Sequence, residues 1–298
     1  MKTILKNLSI IDWVNIIFLA CLTFFLIAVF NKTPYPIETL LLYCGLFVFI
    51  IMFAIFRGSH LSPKWKRLIL FINPVIFLII SFESLYMLVQ YFNKNRYDAL
   101  LDKIDIAILS VSPTIYIEQF THPLFTDIFY LFYLIYFPMP IIILGVMFKR
   151  NMFVEVEKSL LIYLFTYYLA YILYFFVPAE GPRFFLLNEY AYPLTGIFLA
   201  EPIRQIVNTF EPNTLDVFPS LHTAILAVTM FVSYKYNRKV FNWFILPAIG
   251  IPISLIYCRY HYFVDMIAGL VLAVFSFWLA SKIYDKISSR FVNHFGEL

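Results

Sequence analysis

The sequence predicts an all-α fold: a polytopic membrane bundle of about eight transmembrane helices, with interfacial helices in the outer loops. Three observations predict it. Of 298 residues, 62% are apolar and 13% are charged, whereas an ordinary soluble domain carries about 25% charge. The apolar residues gather in runs of about 20, the length that crosses a bilayer core, and mean hydropathy is +0.83. Lysine and arginine fall unevenly between alternate loops. This composition excludes a disordered chain, a nucleic-acid-binding protein and an ordinary soluble globule.

The first run spans about 11–30. Lys2 and Lys6 precede it as in a signal peptide, but it has no small-x-small cleavage site and continues to Phe30, so it reads as a signal anchor. The second and third runs, 37–56 and 68–92, complete an N-terminal three-helix transmembrane region, 1–92. The fourth covers 124–148 and the fifth 159–177. The sixth, 220–236, is short, and 240–257 and 262–284 close the set. Of the 22 Lys and Arg, fifteen fall on one side of this arrangement, in short loops, and seven on the other. By the positive-inside rule both termini are cytoplasmic, and the long loops 93–123 and 178–219 face outward. The compact chain without a targeting tail reads as a bacterial inner-membrane protein.

In the first long loop, Leu100, Leu101, Ile104, Ile108 and Leu109 recur at helical spacing with Asp98, Asp102, Lys103 and Asp105 between them. That pattern predicts a helix lying in the membrane interface. The second loop is rich in proline and predicts turns, with a short amphipathic helix within 196–210. Cys21, Cys44 and Cys258 lie in or beside apolar runs and read as packing residues.

Polar residues at membrane ends carry the chemistry. In VPAEGPRFF, 177–185, Arg183 offers a planar, permanently charged fork suited to phosphate oxygens, against the bland reading of a snorkelling arginine. In DVFPSLHTA, 216–224, Pro219 suits a first helical turn, whose free N–H groups with the Ser220 hydroxyl make an anion site. His222 sits there as a proton donor; the bland reading is a capped helix with an interfacial histidine. In CRYHYFVDMIAG, 258–269, His261 and Asp265 are four apart, which predicts one helix face. The carboxylate fixes the tautomer and leaves the other ring nitrogen as base or nucleophile; a purely structural hydrogen bond is the alternative. Arg259 brings a second possible phosphate ligand. The topology places all three groups at the outer interface. His60 and His294 fall on the cytoplasmic side, and His122 lies in the outer loop with no nearby partner in sequence.

These motifs resemble the type-2 phosphatidic acid phosphatase superfamily, and within it the inositol phosphorylceramide synthase-like branch and its bacterial relatives. The family's Pro-Ser-x-His is matched by Pro219, Ser220, Leu221 and His222, and its His-x-x-x-Asp by His261 and Asp265. YDALLDKIDIAILSVSP, 97–113, is similar to a segment of that branch, so the likeness covers about 97–275. It implies that 93–298 is a catalytic transmembrane domain. It also implies His261 as nucleophile, Asp265 as its support, His222 as acid and then base, and Arg183, Ser220 and Arg259 as phosphate ligands. No metal or cofactor is implied. The chain departs from the family in two places. Phe176 stands where its first signature has lysine, and Leu255 where its last has arginine, with Ser254 retained and Arg259 as the substitute.

The expected activity is cleavage of a lipid phosphoester at the outer leaflet, with transfer of the phospho-headgroup to an alcohol as the alternative. A transporter is the reading from another class, but its polar residues would sit at the midplane. A metalloenzyme using His222, His261 and Asp265 is a third, separable by chelator sensitivity.

Overall fold

The apolar runs become helices whose ends follow local chemistry. The computed structural model describes residues 7–59, 62–210 and 214–288, so Lys2, Lys6, His60 and His294 lie outside the described residues. Among the described residues, every regular element is helical. Helix α1 (Ile10–Val29) starts from a capping box between Ser9 and Asp12. Helices α2 (Pro36–Arg57) and α3 (Pro63–Phe92) each start with proline, whose missing N–H costs nothing there.

Helix α4 (Asp98–Leu109) forms where the interfacial helix is expected. The expected fourth span is two helices, α5 (Pro123–Ile135) and α6 (Pro138–Lys149), bent by 40°. Pro138 and Pro140 lack the N–H groups that would carry one helix through this point. Then follow α7 (Phe153–Phe176), α8 (Ala200–Phe210), α9 (Leu221–Tyr236), α10 (Arg238–Tyr257) and α11 (Phe263–Ile287).

Six described helices are long and apolar enough to cross a membrane, and the count is seven if the bent pair is taken as one span. The expected eighth, α9, has only 16 residues. At 1.5 Å per residue it reaches about 24 Å, against a hydrocarbon core of about 30 Å. Polar caps bound it on both sides. Ser220 caps its start, and Asn237 ends it while accepting from Val240 N–H to open α10.

The chain divides into two compact units. The first comprises 1–93, 146–169 and 275–298, so it recruits parts of α7 and α11 as well as the first three helices. Its apolar helices bury a polar cluster. Asp12 pairs with Arg57, accepts from Asn73 Nδ2 at 3.2 Å and caps its own helix through Ser9. Tyr168 donates to Asn15 at 2.7 Å, and Tyr284 to Glu157 at 3.0 Å. A buried ion pair and its hydrogen bonds fix which faces of these otherwise greasy helices meet.

The second unit comprises 94–145 and 170–274 and holds all three polar motifs. Helix α10 lies on α5, and Gly250 makes room for it: a Cβ there would sit 2.4 Å from the Phe132 ring. Helix α4 is amphipathic with its faces reversed from a soluble helix. Asp98 and Asp105, seven apart on one face, are buried at 2% and 0% exposure, whereas Leu100 and Ile108 are 50% and 52% exposed. The outward apolar face suits lipid, and the inward aspartates find backbone N–H groups.

Candidate active site

The three motifs converge in the second unit, and backbone contacts stitch them. Arg183 N–H donates to the Arg259 carbonyl at 2.8 Å, joining the first motif to the third. Ser220 N–H donates to the Asp265 carbonyl at 3.0 Å, joining the second to the third. Gly181, at φ +90°, lets the first turn press on the third: a Cβ there would meet the Tyr260 carbonyl at 2.9 Å. A small core of Leu101, Ala179, Val217 and Tyr262 takes one residue from α4 and one from each motif. Its packing ties the segments that carry the polar side chains.

His261 lies in the loop before α11, two residues ahead of Phe263, and not on a helix face as its spacing from Asp265 predicts. The i,i+4 contact survives for another reason. The loop turns back so that His261 Nδ1 lies 3.2 Å from Asp265 Oδ2, which also accepts from Tyr262 N–H at 3.0 Å. The carboxylate assigns the proton to Nδ1 and leaves a lone pair on Nε2. That Nε2 lies 3.1 Å from His222 Nδ1. The two histidines, 39 residues apart, are in direct contact, with ring centroids 5.1 Å apart.

His222 sits in the first turn of α9 as expected, but Pro219 does not: it precedes the Ser220 cap. Ser220 Oγ accepts from Thr223 N–H at 3.3 Å and from the Thr223 hydroxyl at 3.2 Å. A hydroxyl has two lone pairs and one proton, so its O–H remains to donate. Tyr133, Tyr136 and Phe137 surround the His222 ring at centroid distances of 4.8, 4.7 and 6.2 Å. The bend between α5 and α6 presents the last two.

Arg183 lies over the Tyr260 ring at 4.5 Å and gives one N–H to Asn208 Oδ1 at 3.3 Å. Its fork retains donors for an anion. Arg259 is placed differently from the sequence expectation. Its guanidinium, on a residue 8% exposed, donates to Glu118 Oε1 at 3.0 Å and the Tyr192 carbonyl at 2.7 Å, and stacks on Tyr190 at 3.6 Å. It is spent on loop architecture, and its backbone takes a left-handed φ of 64°. Tyr190, its hydroxyl pushed up to about 12 by burial, stays neutral and donates to Thr114.

Burial holds His261 well below the usual histidine value of 6.5, with the charges of His222 and Arg183 adding to it. The ring is therefore neutral, the form that a nucleophile or base needs. The stability consequence has a definite sign. Between the unfolded value near 6.5 and the lower folded one, the unfolded chain binds a proton that the folded chain does not. Stability is expected to be full above pH 6.5 and to decline as pH falls below it, seen as a falling melting temperature between pH 7.5 and 5. A melting temperature flat over that range in the wild type, or a decline equally present in His261→Gln, contradicts this.

Sequence reasoning missed four acidic residues that hold these loops. Asp105 accepts from Phe263 and Val264 N–H, both at 2.7 Å, and caps α11 from outside. Asp127 accepts from the N–H groups of residues 197–200 and caps α8. Asp98 binds the Glu180 and Gly181 N–H groups, and Glu118 accepts from Tyr192 N–H at 2.6 Å. The only hint in sequence is the seven-residue spacing of Asp98 and Asp105, which puts both carboxylates on one face. His122 has partners after all: its Nδ1 accepts from Leu124 N–H at 3.3 Å and caps α5. Among the described residues no group of three or more His, Cys, Asp or Glu is arranged to hold a metal ion.

The family model of the PAP2 superfamily matches residues 109–279. A PA-phosphatase related-family protein of Dictyostelium discoideum is 32% identical over 113 residues, 37% of this chain. The match spans a fifth of that relative's length, 20%. No solved structure matches the chain.

Proposed function

Because this integral membrane protein belongs to the PAP2 superfamily, we propose that it cleaves a lipid phosphoester through a phosphohistidine on His261. Membership brings phosphatase-type chemistry on lipid phosphates. The observation that carries the finer reading is the chain of contacts Asp265–His261–His222, with Arg183 beside it. It supplies an oriented nucleophile, a proton donor and a cation within one site.

In the unliganded site His222 covers the His261 lone pair, so an entering phosphoryl group parts the two rings. Arg183, the Ser220 hydroxyl and the start of α9 hold its oxygens. His261 Nε2 attacks phosphorus and the P–O bond to the lipid breaks. His222, in its protonated form, gives the departing oxygen its proton. The positive charge that develops on the phosphorylated imidazole lies against Asp265. Neutral His222 then takes a proton from water as its oxygen attacks phosphorus. The P–N bond breaks, and phosphate leaves with both histidines restored. Arg259 acts here through the loop it braces and not as a phosphate ligand.

Transfer to an alcohol uses the same intermediate. The aromatic enclosure of His222 favours that second reading, since apolar walls next to the acid–base group shield it from water. The excess of Lys and Arg in alternate loops orients the site to the outer face, with cytoplasmic termini.

The test is phosphate release from phosphatidic acid and a polyprenyl diphosphate by the detergent-purified chain in EDTA, with and without an alcohol acceptor. Chelator-resistant release, with kcat/KM holding well below pH 6.5 because His261 stays neutral, is the expected result. Complete loss in EDTA, restored by a divalent cation, overturns the phosphohistidine route. Formation of the acceptor's phosphate ester in place of free phosphate selects transfer over hydrolysis.

A further inference from the structure

We propose that Asp98 is a positioning residue that sets the register between Arg183 and His261, a role that rests on the catalytic reading above. Its carboxylate spans the segments that carry them. From the Arg183 turn, Glu180 N–H donates to it at 3.0 Å and Gly181 N–H at 2.8 Å. From the His261 loop, the hydroxyl of the very next residue, Tyr262, donates at 2.9 Å. Asp98 is 2% exposed and lies before the 109–279 segment matched by the family model. The family match therefore does not reach it.

The surroundings show a built joint. One residue earlier, Tyr97 N–H donates to the Pro178 carbonyl at 3.1 Å. One helical turn later, Leu101 packs with Ala179, Val217 and Tyr262. The backbone contacts between the Arg183 turn and the His261 loop bring the segments together. A single carboxyl group accepting from three donors on both sides fixes their relative displacement, because hydrogen bonds are short and directional. That displacement decides whether a phosphate held by Arg183 meets His261 Nε2 in line. A misplacement of about 1 Å is enough to cost roughly 10²-fold in rate.

Inorganic vanadate, which takes up the geometry of the phosphoryl transition state, needs both the cation and the histidine nitrogen and so reads their register directly. Vanadate is titrated into the full detergent-purified chain and followed by melting temperature, beside kcat and KM for phosphatidic acid. Asp98→Asn is expected to weaken vanadate binding about tenfold or more and to change both kcat and KM, since the Arg183 and His261 segments both shift. Tyr262→Phe keeps both backbone donors on Asp98. It is expected to lower kcat and weaken vanadate several-fold with KM nearly unchanged, and it decides the matter if Asp98→Asn does not fold. Tyr43→Phe removes a buried hydroxyl, on Ser84, in the first unit and is expected to change neither.

Wild-type vanadate affinity and kcat in Tyr262→Phe, with His261→Ala unable to bind vanadate, would overturn the role of Asp98 and leave the catalytic reading standing. A wild-type chain that does not bind vanadate, or a His261→Ala chain that binds it as well, removes the catalytic reading and this proposal with it.

Discussion

His261→Ala is expected to reduce phosphate release from a lipid phosphate by at least ~10⁴-fold and to abolish acid-labile, base-stable labelling of the protein by a phosphate-labelled substrate. The expectation rests on the contacts of the His261 ring. Its Nδ1 is held by Asp265, and its Nε2 faces His222 Nδ1. His222→Ala is expected to differ in kind. Loss of the proton donor costs about 10²–10⁴-fold on an alkyl leaving group. It costs far less on an aryl phosphate, whose phenolate leaves without a proton. Covalent label should therefore still form in His222→Ala with an aryl substrate and not in His261→Ala. Equal losses on both substrates would remove the division of labour between the two rings.

Glu118→Ala is expected to lower stability by about 3–5 kcal/mol, the cost of leaving a buried charge without its partner. Both side chains of the Glu118–Arg259 pair are nearly buried, at 7% and 10% exposure. The carboxylate also accepts from Tyr192 N–H, so its removal orphans a second donor. Arg259→Met in the Glu118→Ala background is expected to recover part of the loss, because it removes the stranded charge. Thermal unfolding of the three variants in detergent measures the difference. A double variant less stable than Glu118→Ala alone would show that the stack of Arg259 on Tyr190, and not the ion pair, holds the loop.

Helix type and membrane residence follow from composition and apolar run length, since a run of about 20 apolar residues has one favourable state in a bilayer. Local polar motifs were legible for a related reason. Arg183, His222, His261 and Asp265 are costly at membrane ends and stand out against an apolar background. Spacing was a weaker guide. It paired His261 with Asp265 correctly but placed them on a helix, where the chain instead makes a loop that turns back on the carboxylate. A span counted by hydropathy also missed the 40° bend, which presents Tyr136 and Phe137 to His222.

Charge in an interfacial helix was the most misleading signal. Asp98 and Asp105 have the pattern of a solvated face, yet both point inward to backbone N–H groups on segments up to 159 residues away. Arg259 shows the converse. Its place two residues before His261 in sequence suggested a phosphate ligand, and Glu118, 141 residues away, pairs with it.

By itself the sequence determined the apolar setting, the helical class and the motifs that mark the PAP2 superfamily, because those depend on what each side chain is. Only the tertiary structure decided which carboxylates are ligands of the backbone, which arginine is held by Glu118 and which ring nitrogen faces which. Those depend on partners brought together by long-range packing, and a buried donor or acceptor takes whatever partner the fold presents to it.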